Sequence, residues 1–411
     1  MWRQPSALGV VIAVVLASIG VYLLTAAPSL TWAHWGTDGG DFVTAAVTEH
    51  VPHPPGFPVY LFLTRGLVRL LPGDPARVLT LFSAAMAAGT ACWTALGLLH
   101  RESSPWAALS TGLALAWAPW LWSQALIVEV YTLAAFFAGA SICVLELDCF
   151  SDTRRSWLVG ILVGLSAAVH PSSLALLPFV VAHRRMVWSR LALGLFLGLL
   201  PYVLLPLSGK WPQPWGDLRS FDGWWAYVSG RIYWGNALAL PARYWPWRIL
   251  AWGGALVRQF TPIGAALCLL GGQRMWIVNR RLAMGVVVAI GVASVYAIGY
   301  DSPDSWVYMI VVLPLLALLL GAGLNQLEAY RIPHALQLAL PILLLAVNWT
   351  RLDIHRDREA TGWLNETLQK LPSGAVVMTE ADRHTFSLWY AVDARQQRSD
   401  LIVIDRRLLG Y

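Results

Sequence analysis

Long apolar stretches limit what this chain can fold into. Residues 10–27, 76–99 and 307–324 are each predominantly apolar, and each meets the length of about 18 residues that reads as a membrane-spanning helix. Charged residues make up only 13% of the 411, against about 25% in a soluble domain, and the mean hydropathy is +0.57. Too little polar surface remains to cover a water-facing globule. The expected fold class is an all-α polytopic membrane protein.

Eleven apolar segments are expected as spans: 7–27, 76–99, 106–122, 130–148, 157–169, 172–183, 191–207, 249–271, 282–299, 306–324 and 333–350. The fifth and sixth are short and meet at His170-Pro171. They read as two short helices or one broken span. The first segment follows Arg3 and precedes Ala26-Ala27-Pro28, as in a signal peptide, but it is longer than a usual signal core and the chain keeps spanning after it. It is read as a retained span.

Arginine placement sets the expected orientation. With the N-terminus in the cytoplasm, the inside loops hold Arg101, Arg154-Arg155, Arg184-Arg185 with Arg190, Arg274 with Arg280-Arg281, and Arg331. The opposite span ends hold Asp38, Asp41, Glu49, Glu129, His170, Asp301 and Asp304. The C-terminus is then extracytoplasmic, and the expected location is a bacterial inner membrane. The formal charge of +6 is spread over these loops. There is no basic run with interleaved aromatics of the kind that binds nucleic acid. The four cysteines fall in apolar stretches without metal-ligand spacing. The 23 tryptophans cluster near span ends and in one long loop, as interfacial anchors do.

A membrane domain over 1–350 and a small extracytoplasmic α/β segment over 351–411 are expected. Within the first, loop 28–75 carries two amphipathic stretches, 41–47 and 59–71. Between them Pro52-His53-Pro54-Pro55-Gly56-Phe57-Pro58 cannot continue a helix. Loop 208–248 is the other long external segment. In the tail, 359–371 reads as an amphipathic helix, 375–379 and 401–405 as strands, and 385–392 as a short helix. That β-α-β fragment is too small for a core of its own and is expected to pack on the membrane domain.

Chemistry is expected first at Asp38 and Asp41, in Thr37-Asp38-Gly39-Gly40-Asp41-Phe42. Three residues apart, they share one face of a helix beginning there. The glycines allow close approach of chain or ligand. Asp38 as a helix cap is the structural alternative, but it leaves Asp41, beside His50 and His53, unexplained. A carboxylate here suits general-base work on a hydroxyl. An activated group outside the cytoplasm arrives on a lipid phosphate, and its leaving phosphate needs a cationic cradle. Loop 208–248, with Lys210, Trp211, Trp215, Asp217, Arg219, Arg231, Trp234, Arg243 and Arg248, is the candidate for that cradle, since arginine pairs with phosphate in a bidentate fork. Its structural alternative is an interfacial loop with solvated arginines. Glu129 and His170 are further ionisable candidates at span ends. No Walker loop, metal cluster or serine elbow is present in the sequence. Asp38 with Asp41 gives a weak signal for a divalent cation.

Asp38-Gly39-Gly40-Asp41-Phe42 and His53-Pro54-Pro55-Gly56-Phe57-Pro58-Val59-Tyr60 resemble the D-S-G-E-[FL] … H-P-P-G-Y-P-L-Y pattern of a transmembrane O-mannosyltransferase family, a branch of the GT-C glycosyltransferases. Glu129-Val130-Tyr131, His170-Pro171, Pro214-Trp215-Gly216-Asp217 and the tail around Trp389-Tyr390 and Arg398-Ser399-Asp400 extend the likeness. Gly39, Asp41 and Pro214 depart from the family's Ser, Glu and Asn, and many relatives continue past the tail into a larger domain. The resemblance implies a GT-C fold, consistent with the eleven apolar segments, and inverting transfer of a hexose or pentose, mannose included. The donor is a polyprenyl-phosphate sugar in the membrane lipid, and the acceptor an extracytoplasmic protein or glycan. Asp38 or Asp41 is then the base, Asp38 being the better match to the family's own Asp. His53, Glu129, His170, Trp215, Asp217, Arg219 and Arg231 are the expected donor-binding residues. A transporter or lipid-linked saccharide flippase, and a non-catalytic scaffold of envelope assembly, are the rival classes. Transporters favour ionisable groups at the bilayer midplane, whereas these sit at span ends.

Overall fold

A computed structural model describes residues 6–101, 103–183, 186–209, 213–329 and 332–410. Arg3, Arg184, Arg185, Lys210, Trp211 and Arg331 lie outside the described residues. The architecture is helical, with one two-stranded sheet in the tail. Seven of the eleven apolar segments coincide with helices long and apolar enough to cross a membrane: 7–25, 75–100, 188–207, 242–278, 280–299, 305–327 and 334–352.

The other four segments form shorter or less apolar helices. Segment 106–122 divides into Pro105–Ala116 and Pro119–Ala125, because Pro119 has no N–H to continue the ladder. Segments 130–148 and 157–169 become Tyr131–Glu146 and Asp152–Val169. Segment 172–183 is a 3₁₀ turn, Pro171–Leu176, followed by Leu177–Ala182. Helix Trp245–Val278 is longer than expected and breaks at Phe260 and Thr261, where Thr261 takes a φ of 63° ahead of Pro262.

Polar side chains inside these helices bond to their own backbone. The hydroxyls of Ser18, Thr25, Thr80 and Thr94 donate to carbonyls four residues back at 2.6–2.9 Å, which satisfies them inside the apolar bundle. Helix Asp152–Val169 packs on helix Trp188–Leu199 through Gly160, Gly164, Gly194 and Gly198. A Cβ on Gly194 would lie 2.6 Å from the Trp157 carbonyl, and one on Gly164 2.8 Å from the Gly198 Cα. Small residues four apart allow this backbone contact between apolar helices.

At one end of the bundle, helices Gly39–Thr48 and Pro58–Leu70 replace the two expected amphipathic stretches. Between them, the Tyr227 hydroxyl bonds to the Pro52 carbonyl and Gln213 accepts from the Val51 N–H at 2.9 Å. The long loop is thereby tied to the Pro-rich turn. The tail docks at the same end. Its strands Val376–Thr379 and Ile402–Asp405 pair in parallel, Val376 opposite Ile402, across helix Asp382–Trp389. The Tyr390 hydroxyl donates to Asp74 at 2.6 Å and the Trp32 indole to Ser387 at 3.0 Å. A parallel pair this small borrows its core from the membrane domain. Leu364, Phe386 and Tyr390 are each buried.

Candidate active site

The first-loop acids flank one histidine. Asp41 lies in the first turn of helix Gly39–Thr48 and is 2% exposed. Its Oδ2 accepts from the His53 backbone N–H at 2.7 Å and lies 2.8 Å from His53 Nδ1. Its Oδ1 faces the Trp215 indole N–H at 3.4 Å. The other ring nitrogen, Nε2, lies 3.7 Å from Asp38 Oδ2. Asp41 thus fixes the ring while Asp38 meets its free edge. Asp38 occupies the N-cap position, but its side chain makes no capping bond, so the cap reading does not hold for its carboxylate.

The glycines between the acids have a geometric cause. A Cβ on Gly40 would strike the Phe386 carbonyl, and one on Gly39 would lie 3.2 Å from Val128 Cβ. Bare backbone lets the tail helix press against the first turn. Phe386 in turn stacks on His53, with ring centroids 6.4 Å apart and planes at 10°.

Asp38 and His53 line a cavity of about 790 Å³. Trp215 and His170 join its wall, together with Tyr308 from the turn after Asp304. The His170 ring stacks between Phe57 and Tyr308, at 6.1 and 5.2 Å, and its Nδ1 lies 2.8 Å from Ser172 Oγ. Asp301, Asp304 and Asp382 also line the cavity, whereas its described lining residues include no lysine or arginine.

That acidic wall shapes the titration of the pair. Desolvation, reinforced by Asp382, Asp304 and Asp41 and opposed by His53, raises the Asp38 carboxyl to about 6. Burial opposes a charged His53 ring, but Asp38 and Asp41 outweigh it and lift its pKa above the ordinary value. Burial and the surrounding carboxylates thus hold Asp38 well above the ordinary aspartate range.

Other expected residues stand apart. Glu129 is buried behind the wall, its carboxylate accepting from the Val130 N–H at 3.1 Å. Asp217 and Arg219 pair with each other at 2.9 Å on the surface. Arg231 lies 6.0 Å from the Trp234 ring, and only the tryptophan lines the cavity. Among the described residues, no group of three or more His, Cys, Asp and Glu is placed to hold a metal ion. Asp382, Phe386 and Tyr308 are site residues that motif reading missed. Asp382 and Phe386 sit in the tail, more than 300 residues from Asp38, and only the motif likeness of that tail hinted at their importance.

The fold is that of the GT-C glycosyltransferases. The structure superposes on ArnT from Cupriavidus metallidurans in the apo state with a TM-score of 0.60 at 15% identity, covering 96% of this chain and 84% of that one. On the same protein bound to undecaprenyl phosphate the score is 0.57 at 14%, covering 97% and 89%. The Archaeoglobus fulgidus oligosaccharyltransferase gives 0.57 at 12%, covering 96% and 62%. Residues 38–188 match the family model of the protein O-mannosyl-transferase TMEM260 N-terminal domain, so the likeness carried by the first-loop motif extends over that segment. The mouse protein O-mannosyl-transferase TMEM260 is 29% identical over 248 residues, 54% of this chain and 34% of its own length. The Dictyostelium discoideum protein of the same name is 22% identical over 288 residues, 61% and 34%. The chain spans about a third of the length of these curated relatives.

Proposed function

We propose that this chain is an inverting membrane glycosyltransferase. It moves a sugar, mannose by the names of its relatives, from a polyprenyl phosphate to a hydroxyl of a protein at the extracytoplasmic face. The observation that carries this reading is Asp38. It is a carboxylate on the wall of a large cavity, with its pKa raised to about 6 and a histidine at 3.7 Å. The GT-C fold supports the donor class, since a solved protein of that fold binds undecaprenyl phosphate. The arginine distribution supports the sidedness.

In this mechanism Asp38 takes the proton of the acceptor hydroxyl as its oxygen attacks the anomeric carbon. The bond from that carbon to the phosphate oxygen breaks on the opposite face, and its electron pair leaves with the phosphate. The configuration inverts. His53 holds the base in place and Asp41 holds His53. The aromatic wall of Tyr308, His170 and Trp215 excludes water and offers faces to the sugar ring. The test is sugar transfer by purified protein in lipid nanodiscs, with polyprenyl-phosphate mannose as donor. Asp38→Asn is expected to lose it, and full activity in that variant would sink the assignment.

A further inference from the structure

Trp35 stands where two cavities meet. It lines both the acidic cavity of about 790 Å³ that holds Asp38 and a second cavity of about 380 Å³. The second is lined by Ser123, Arg248, Arg258 and Ser305 among others, and Arg258 is exposed. A solvent-exposed charge keeps its hydration, so water enters this cavity. On the other side of Trp35 lies the general base.

The backbone is held in the shape that puts the indole there. His34 and Trp35 take φ values of 54° and 68°, in the left-handed region that bulky side chains avoid. Their neighbours fix this shape. The His34 carbonyl accepts from Gln124 Nε2 at 3.0 Å, and the His34 ring Nε2 lies 3.0 Å from the Leu352 carbonyl. The Ala33 N–H donates to Thr31 Oγ1 at 3.0 Å. The turn is so tight that a Cβ on Gly36 would lie 2.9 Å from the Thr31 carbonyl. Backbone strain over-determined in this way concentrates at functional positions. The indole itself is 46% exposed and makes no hydrogen bond or ring contact with a described residue. No bond or ring stack explains so large a side chain here. The same 3₁₀ turn, Ala33–Asp38, ends on the base three residues later.

We propose that Trp35 is a fidelity residue: its indole closes the acidic cavity against water from the second cavity, so that Asp38 deprotonates the acceptor hydroxyl and not water. The inference rests on the transferase reading. A carboxylate that takes a proton from a hydroxyl can take one from water. The water oxygen would then bond to the anomeric carbon, the bond from that carbon to the phosphate oxygen would break, and its electron pair would leave with the phosphate. Free sugar would be released and the donor wasted. Suppressing such hydrolysis is one use of a closed site.

The test counts both products. The full chain in phosphatidylcholine nanodiscs receives undecaprenyl-phosphate mannose labelled in the sugar, together with a peptide bearing serine and threonine. Free mannose and mannosyl peptide are measured separately. Trp35→Ala is expected to raise the ratio of free to transferred mannose about tenfold by admitting an ordered water. Trp35→Leu refills part of the space and should raise the ratio less, and Trp35→Phe least of all. If Trp35→Ala does not fold, Trp35→Leu carries the same comparison. Mere loosening of the turn that carries Asp38 would slow both reactions together and leave the ratio unchanged. An unchanged ratio in the folded variants, with the unaltered protein active in transfer, would overturn the proposal and leave the transferase reading standing. Absence of transfer by the unaltered protein would overturn both.

Discussion

Replacing each first-loop acid by its amide separates the two roles. Asp38 faces the cavity and the free edge of His53, so Asp38→Asn removes the base and little else. General-base catalysis is worth about 10²–10⁴ in rate, and the variant should lose that much. Its stability should not fall. The folded protein raises the Asp38 pKa to about 6, so at pH 7 the fold works against this charge, and removing it leaves the melting temperature unchanged or higher. Asp41→Asn acts differently. One amide oxygen can still accept both His53 bonds now made at 2.7 and 2.8 Å, but without charge. A hydrogen bond to a charged group contributes about 1.5–3 kcal/mol and a neutral one about 0.5–1.5, so the loss is about 1.2 kcal/mol for each bond and about 2.5 kcal/mol for the two, at most roughly seventyfold in rate. Asp41→Ala leaves two His53 donors without their acceptor, at about 1–3 kcal/mol each, and should lower the melting temperature clearly. Initial rates of sugar transfer and thermal melts of the purified variants measure all three. If Asp41→Asn falls more than a hundredfold while Asp38→Asn keeps a tenth of its activity, Asp41 is the base and Asp38 is not.

Transfer should also fall with acid. A base must be unprotonated, and a carboxyl raised to about 6 protonates as pH drops through that value, so the rate limb lies near pH 6, about two units above an ordinary aspartate. A pH–rate profile checks this. Gly40→Ala places a methyl against the Phe386 carbonyl and should loosen the tail helix, lowering both activity and the melting temperature. Intact activity would show that this contact is dispensable. Gly164→Leu should separate helices 152–169 and 188–199, at about 1–3 kcal/mol for overpacking, read as earlier unfolding in a detergent melt.

Hydropathy made the helical membrane class legible, because a lipid-facing helix must be apolar along its length and backbone bonding inside a bilayer must be local. The motif around Asp38 and His53 was legible for the same local reason: prolines and glycines over residues 52–58 leave one kind of turn. The segment expected as one span at 106–122 divides at Pro119 in the structure, which its apolar composition does not show. Arg219 and Arg231 carry the right chemistry for a phosphate, yet Arg219 spends its charge on Asp217, two residues away. No sequence pattern separates that outcome from a cradle.

What the chain determined by itself is the membrane class, the acidic motif and the compact turn that carries His53. Each follows from interactions within a few residues, or from the solvent that every span must meet. What only the tertiary structure decided is which acid faces the cavity and which is consumed in holding the histidine. It also decided that the tail supplies Asp382 and Phe386 to that wall. These depend on contacts between residues hundreds of positions apart, where the packing of one backbone against a bare glycine sets the geometry.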